Sequence, residues 1–213
     1  MPHHRERFTA HLNAAAEQDT RLREILDRHG YPEPRQRSNS FETMLRIIVS
    51  QQLSTRVASV IWDRLAILCA PEVAPQTILS LEPEALRSCG LSRQKVDYTR
   101  ALAERIHSGT LNPGSLEDMP LEQALDELTR IRGYGRWSAE IYAMFALGHA
   151  DVFPAGDLAL QIAIQRLESM QEKPSEKQAR VIAQRWSPYQ SAVAVLMWHY
   201  YGAATLDWHA RGS

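Results

Sequence analysis

Cysteine is scarce in this sequence, with only Cys69 and Cys89 among 213 residues. Two thiols cannot supply the four ligands of an ordinary iron–sulfur cluster, and so few cysteines favour a reduced, cytosolic protein over a disulfide-bonded secreted one. The sequence has no continuous apolar run of about 18 residues, so we expect no membrane-spanning helix. No apolar segment follows Met1–Arg7, which argues against a secretory signal.

Neither sign of charge is in excess. The 24 basic and 25 acidic residues give a formal net charge of −1. This balance argues mildly against a nucleic-acid partner, because such proteins are often basic, although a local basic patch is compatible with a neutral total. The eight histidines have no metal-ligand spacing with one another or with the cysteines, so we predict no zinc site.

Apolar residues recur at three- and four-residue spacing along most of the chain, which is the pattern of amphipathic helices. No segment alternates for long enough to predict a strand. We therefore predict an all-α fold of about ten helices, arranged as two helical lobes with a cleft between them. The clearest periodic segments are residues 41–53, 56–68, 96–106, 121–128, 137–147, 158–167, 178–186 and 192–200.

A Gly-x-Gly turn opens directly into one of these apolar helices. Gly133 and Gly135 allow positive φ angles and a close approach of another molecule to the backbone. The helix that begins near Arg136 would present its first N–H groups and the positive end of its dipole, which is an arrangement that binds phosphate. A glycine pair also fits an ordinary helix–turn–helix connection, so the turn alone leaves both interpretations open.

Asp157 precedes another apolar helical pattern and follows Gly156. Its position predicts a helix N-cap, and capping alone would explain an aspartate there. A helix N-terminus also stabilises negative charge, so the same side chain could serve as a reactive carboxylate. Asp151, six residues earlier, is the other candidate for such a carboxylate.

Four segments, in the same order along the chain, resemble those of the helix-hairpin-helix (HhH-GPD) DNA glycosylases, and within them the alkylpurine branch of DNA-3-methyladenine glycosylase II. The resemblance covers about residues 41–201. Its segments are the minor-groove segment Ile47–Ser54, the family signature Gly90–Lys95, the hairpin Leu128–Ala139, and the loop Asp151–Asp157 that delivers the catalytic aspartate. Arg132 departs from the pattern, since the family hairpin usually carries proline there.

The resemblance implies a monofunctional DNA glycosylase that hydrolyses the N-glycosidic bond of alkylated purines, such as 3-methyladenine, in base excision repair. The expected partner is double-stranded DNA that contains damaged bases. We expect a monomer with no membrane association, located in the cytoplasm with the nucleoid of a bacterium or in the nucleus of a eukaryote. The expected organisation is one unit with an N-terminal helix and connector (1–40), a helical lobe (41–130) and a second lobe with the hairpin and aspartate (131–213).

The resemblance also assigns a role to individual residues. Asp157 would be the catalytic carboxylate, and Asp151 would belong to the lead-in of the same loop, which we interpret as a structural role. Trp137 and Trp198 would line the base pocket. Leu53 would be the side chain that wedges into the duplex from the minor groove, and the polar Gln51 and Gln52 before it would hydrogen-bond base edges; the segment Gln51–Leu53 is called the wedge segment below. Further DNA contacts would come from the hairpin at Gly133, Tyr134, Gly135, Arg136 and Ser138, and the DNA-binding residues of the wedge segment are Gln51, Gln52 and Leu53. The hairpin would also hold a structural Na⁺ or K⁺ through the backbone carbonyls of Thr129, Ile131 and Tyr134, with no other cofactor expected.

Trp137 occupies the position at which strand-cutting members of the superfamily carry a lysine nucleophile. An indole cannot form a Schiff base, so the resemblance predicts hydrolysis by water without lyase activity. Lys95 is a remote rival amine, which we interpret as solvated or packed on its helix. Other interpretations stay open. Leu53, Trp137 and Trp198 also fit ordinary core positions, and the chain could be a non-catalytic helix-hairpin-helix module or a monofunctional glycosylase for other damaged bases.

Overall fold

The computed structural model describes the backbone of residues 2–210 and the side chains of residues 4–202. All regular elements in this part of the chain are helical, which confirms the all-α prediction. This part of the chain contains twelve α-helices, two more than the ten expected. Pro75–Ser80 and Pro83–Ser88 are the additional ones, and at six residues each they are too short to show periodicity. The α-helices are α1 (Pro2–Gln18), α2 (Thr20–His29), α3 (Phe41–Ser50), α4 (Thr55–Leu68), α5 (Pro75–Ser80), α6 (Pro83–Ser88), α7 (Arg93–His107), α8 (Leu121–Thr129), α9 (Arg136–Phe145), α10 (Leu158–Leu167), α11 (Glu176–Ala183) and α12 (Gln190–Ala210), with 3₁₀ segments at Pro113–Leu116 and Gln184–Trp186. Over the same residues, none of these helices has both the length and the apolar content that crossing a bilayer requires.

The chain forms two compact units. Unit 1 combines the residues up to Gln36 with those from Gly148 onwards, and unit 2 is the continuous stretch Arg37–Leu147. The second boundary lies after residue 147 and not after residue 130, where we expected it. The hairpin therefore belongs to unit 2, because Tyr134 in its turn is buried and its hydroxyl donates to the Met44 carbonyl at 2.8 Å.

Unit 2 is built around α3, which packs against α4, α7 and α9. Its side chains at Met44, Leu45 and Ile48 are fully buried, as the three- and four-residue spacing predicts. The two ends of the unit lie side by side, since the Arg37 N–H donates to the Phe145 carbonyl at 2.8 Å.

The end of α3 differs from the prediction. The periodic pattern extends to residue 53, whereas the helix stops at Ser50. Gln52 has a φ of +56°, in the left-handed region, which is incompatible with a continuing right-handed helix. The wedge segment is therefore a turn.

Unit 1 places α10 against α12, with α1 and α2 also packed on α12. The first half of α12, from Ala192 to Met197, is buried. Trp186 is fully buried, and its indole N–H donates to the Asp19 carboxylate at 3.1 Å. Asp19 caps α2, so this bond joins the N-terminal helices to the residues that precede α12.

Candidate functional site

The turn of the hairpin requires glycine at its centre. Gly133 has a φ of +87°, and a Cβ atom there would lie 2.2 Å from the Tyr98 ring. An L-residue would be strained by both its backbone angle and this overlap. Tyr134 beside it faces inward, and burial raises the pKa of its hydroxyl well above the usual value. Its N–H donates to the Ile131 carbonyl at 2.9 Å, so Tyr134 supports the turn and its side chain is not on the surface.

The helix that leaves the hairpin, α9, begins at Arg136, and its N-cap residue, Gly135, has no side chain to cap it. Gly135 is exposed, and a Cβ atom there would meet no atom within 4 Å. Six other helices, by contrast, have a serine or aspartate cap that binds their first N–H groups. Arg136 is exposed and lies 3.0 Å from Glu140 and 3.4 Å from Glu122. The first turn of α9 thus combines a capless N-terminus with a surface cation, which suits a phosphate.

The wedge segment divides into an inward and an outward part. The Gln51 side-chain amide donates to the Gly133 carbonyl at 2.8 Å and to the Ser138 hydroxyl at 3.0 Å. Ser138 is buried, so its hydroxyl supports the hairpin from inside. Gln52 is exposed, and Leu53 keeps 38% of its surface accessible, which is high for a leucine. Gln52 and Leu53 are therefore the members of the segment whose side chains are accessible from outside.

Lys95 lies at the start of α7, and its position differs from the expectation of a solvated or helix-packed side chain. Its Nζ donates to the carbonyls of Val49 at 2.7 Å and Gln51 at 2.8 Å. Burial lowers the pKa of this amine. Lys95 thus caps the C-terminal end of α3 from another helix. The sequence carries no local signal for this bond, since the partners are more than 40 residues away.

The carbonyls expected to hold a monovalent cation lie around the turn. Ile131 accepts one hydrogen bond, from the Tyr134 N–H, and a carbonyl oxygen has two lone pairs. It therefore retains capacity for a cation, and neutral carbonyl oxygens are ligands that hard cations accept. The binding of such an ion by Thr129, Ile131 and Tyr134 together stays a prediction.

In unit 1, three N–H groups converge on one oxygen of Asp157. As the N-cap of α10, its Oδ1 accepts from the N–H groups of Ala159 at 3.0 Å and Leu160 at 3.1 Å. The Trp198 indole N–H donates to the same oxygen at 3.1 Å. The predicted capping role is confirmed, and the Trp198 bond is a contact that the sequence did not reveal. Together these donors fix the carboxylate and stabilise its negative charge.

The loop before Asp157 is fixed by buried polar contacts. The Gln161 side chain, itself buried, donates to the Ala155 carbonyl at 2.8 Å. The Asp157 N–H donates to the Pro154 carbonyl at 2.8 Å. Phe153 is buried, with its ring centroid 5.6 Å from that of Trp186. These contacts connect the loop that carries Asp157 to α10 and to Trp186.

Asp151 is bound differently from Asp157. Its Oδ2 accepts from the Ser187 hydroxyl at 2.6 Å, which ties the start of the loop to the segment before α12. This bond agrees with our interpretation of Asp151 as structural.

The two tryptophans expected in the base pocket lie in different units. Trp137 is the second residue of α9 in unit 2, and Trp198 is in α12 of unit 1. Both are partly exposed. The guanidinium carbon of Arg35 lies 5.9 Å from the Trp198 ring centroid, so this ring already faces a cation. A pocket shared by the two tryptophans stays a prediction.

The segments described above lie in a region of the chain that matches a known protein family. The profile of the HhH-GPD superfamily base excision DNA repair proteins matches residues 45–188, which contain the wedge segment, the hairpin and Asp157. This chain belongs to the HhH-GPD superfamily. The assignment confirms the resemblance inferred from the four sequence segments.

Several known proteins resemble this one in sequence and in structure. YfjP of Bacillus subtilis strain 168 is 30% identical over 167 residues, which are 74% of this chain and 58% of YfjP. The crystal structure of a DNA-3-methyladenine glycosidase from Bacillus halodurans has a TM-score of 0.77 and 30% identity, covering 92% of this chain and 91% of that one. The Schizosaccharomyces pombe 3-methyladenine DNA glycosylase, in complex with abasic DNA, has a TM-score of 0.79 and 26% identity, covering 87% and 95%. This chain therefore spans little more than half of YfjP and nearly all of the other two.

Proposed function

We propose that this HhH-GPD protein is a monofunctional DNA glycosylase that releases alkylated purines, such as 3-methyladenine, from double-stranded DNA in base excision repair. The observation that carries the proposal is the Asp157 carboxylate, held on one oxygen by the N-terminus of α10 and the Trp198 indole. The similar Bacillus halodurans DNA-3-methyladenine glycosidase and Schizosaccharomyces pombe 3-methyladenine DNA glycosylase support the substrate class. Such a protein would act at the chromosome, in the nucleoid of a bacterium or in the nucleus of a eukaryote.

The chemistry follows from the charge of the carboxylate. As the bond between the base and the sugar breaks, its electron pair leaves with the base and positive oxocarbenium charge develops on the deoxyribose. The Asp157 anion stabilises that charge, and it can orient a water molecule for attack on the sugar carbon or accept its proton. Because three N–H groups already fix Oδ1, the carboxylate needs little reorganisation when the charge appears.

Water is the proposed nucleophile because neither candidate amine position is suitable. Trp137 at the start of α9 has no amine to offer. Burial lowers the pKa of Lys95, which would favour an attacking amine, but its Nζ is engaged by two backbone carbonyls at 2.7 and 2.8 Å. The product is then an abasic site in an uncut strand.

An alkylated purine is suited to aromatic surroundings. Alkylation at N3 or N7 gives the base a positive charge, which activates it as a leaving group and attracts it to the face of an aromatic ring. The proximity of Arg35 to the Trp198 ring supports a role for this ring in binding a cationic base. Trp137 would provide a second aromatic surface.

The hairpin would hold the DNA backbone while the base is extruded. The capless start of α9 and the surface cation Arg136 would bind a phosphate without reading the sequence. A Na⁺ or K⁺ held by the carbonyls of Thr129, Ile131 and Tyr134 would add positive charge beside that phosphate. Leu53 would fill the space that the extruded nucleotide leaves.

Incubation with methylated DNA tests the proposal. We expect release of free 3-methyladenine or 7-methylguanine, identified by chromatography, and an abasic strand that stays intact until heated in alkali. Borohydride added during the reaction should trap no covalent protein–DNA adduct. A trapped adduct would contradict hydrolysis by water. DNA binding without any base release would favour a non-catalytic module, and release of only oxidised or mismatched bases would favour a different specificity.

Replacing Trp198 with phenylalanine separates its two proposed roles. The variant keeps an aromatic ring but loses the N–H that binds Asp157 Oδ1. A hydrogen bond to a charged group contributes about 1.5–3 kcal/mol, so we expect single-turnover base release to slow by about tenfold or more. As a matched control, Trp62→Phe makes the same change at a tryptophan of unit 2 that contacts Arg46, and we expect its rate of base release to stay close to that of the unaltered protein. Equal rates for Trp198→Phe and the unaltered protein would show that the indole N–H does not matter to the reaction.

A further inference from the structure

Lys95 binds the end of α3 at the point where the helix turns into the wedge segment. The last carbonyls of a helix have no partner within it, and a cation there is favourable. The Lys95 ammonium donates to the carbonyls of Val49 and Gln51, on either side of Ser50, the last residue of α3. The direction in which the wedge segment leaves the helix is therefore fixed by a side chain from α7.

Gln51 connects the wedge segment to the hairpin. Its carbonyl accepts from Lys95, while its side-chain amide donates to Gly133 and Ser138. One residue thus takes part in bonds to α7, to the turn of the hairpin and to the first turn of α9. The helix α7 contacts the hairpin a second time, because the Tyr98 ring lies directly under Gly133.

The wedge segment needs this support because its own conformation is unfavourable. Gln52 has a φ of +56°, which costs a residue with a Cβ about 1 kcal/mol or more unless neighbours impose it. The next residue, Leu53, is a partly exposed leucine that gains nothing by remaining in water. Without external bonds, the turn would have little reason to keep Leu53 in its outward position.

We propose that Lys95 and Gln51 are positioning residues that brace the Gln52–Leu53 turn against the hairpin, so that the wedge meets DNA in a preformed geometry. The inference rests on the proposed glycosylase function. Its consequence is that Lys95 acts in opening the duplex and has no part in breaking the glycosidic bond. A base that is already unpaired costs less to extrude, and its release should depend less on the brace.

Lys95→Met and Gln51→Leu test this role on two duplexes that each carry one 7-methylguanine, opposite cytosine in one and opposite adenine in the other. We expect each variant to slow single-turnover release from the paired duplex by about tenfold or more, as misplacement of a group remote from the chemistry can do. Release from the mismatched duplex should fall by less than about threefold. Leu53→Ala should give the same pattern, and Lys177→Met, at an exposed lysine of unit 1, should change neither rate.

The outcomes separate the inference from the function on which it rests. Equal losses on both duplexes would overturn it, because a general loss of structure has no reason to distinguish them. Unchanged rates in both variants would overturn it as well. If Lys95→Met does not fold, Gln51→Leu still decides, because it leaves the bonds of Lys95 to the backbone intact. Failure of the unaltered protein to release 7-methylguanine or 3-methyladenine from any DNA would instead count against the proposed function.

Discussion

Changing Asp157 to asparagine should lower the rate of base release by about 100- to 1,000-fold, the range seen when one preorganised electrostatic group is removed from an active site. Asparagine is also a good N-cap, and its amide oxygen can accept the N–H groups of Ala159, Leu160 and Trp198 as Oδ1 does. The variant therefore removes the charge and keeps the structure. Single-turnover kinetics on methylated DNA, together with thermal unfolding, measures the two effects separately.

Asp151→Asn is the matched control for this substitution. Its carboxylate is bound to the Ser187 hydroxyl, and an amide can keep that bond, so we expect base release within about threefold of the unaltered protein. Binding of abasic DNA should persist in both variants. An Asp157→Asn variant that still releases bases at the normal rate would remove the basis of the mechanism, and a large loss in Asp151→Asn alone would transfer the catalytic role to that residue.

Two alanine substitutions in the hairpin should differ in their consequences for stability. Gly133→Ala places a Cβ atom 2.2 Å from the Tyr98 ring at a φ of +87°. The backbone strain costs about 1–2 kcal/mol and the overlap about 1–3 kcal/mol more, so unfolding should occur at a clearly lower temperature. At Gly135 the φ is −84° and no atom lies within 4 Å of the added carbon. Gly135→Ala should therefore unfold at nearly the same temperature as the unaltered protein.

The affinity of the Gly135→Ala variant for DNA then shows how closely a phosphate of the DNA backbone approaches the turn. If a phosphate contacts Gly135, the added methyl group of Gly135→Ala should weaken binding to a duplex by about tenfold although the fold is unchanged. Fluorescence anisotropy at two salt concentrations measures this affinity. Normal binding by Gly135→Ala would mean that no phosphate lies against this glycine. A stable Gly133→Ala variant would show that Tyr98 can move aside.

Much of the fold and part of the site follow from short-range features of the sequence. The capping role of Asp157 depends only on the next three residues, so its sequence position was sufficient to predict it. Of the two glycines that allow a positive φ, Gly133 has one at +87°, whereas Gly135 has a φ of −84°. The limits of α10 were predicted without error, as residues 158–167. For the Asp157 cap, the interactions that decide the structure lie within one helical turn.

The contacts that connect these features were not predictable in this way. The Trp198 indole reaches Asp157 across 41 residues, and the Gln51 amide reaches Gly133 across 82. Such pairs depend on how helices pack, which hydrophobic periodicity does not specify. The same limitation explains why Gln51 was expected on the DNA surface and Lys95 in solvent or packed on its own helix. Helix α3 was extended to residue 53 because Gln52 is a polar residue with no sequence signal for a positive φ.

The bond between the Arg37 N–H and the Phe145 carbonyl has a consequence for how the two units are organised along the chain. Unit 2 is one uninterrupted stretch whose entry and exit are adjacent, whereas unit 1 is assembled from both ends of the chain. Along the sequence, unit 2 is thus inserted between the two parts of unit 1. Such an insertion is tolerated where the termini of the inserted domain lie close together. The elements proposed to grip the duplex can accordingly vary as one module, while the residues around the carboxylate change on their own.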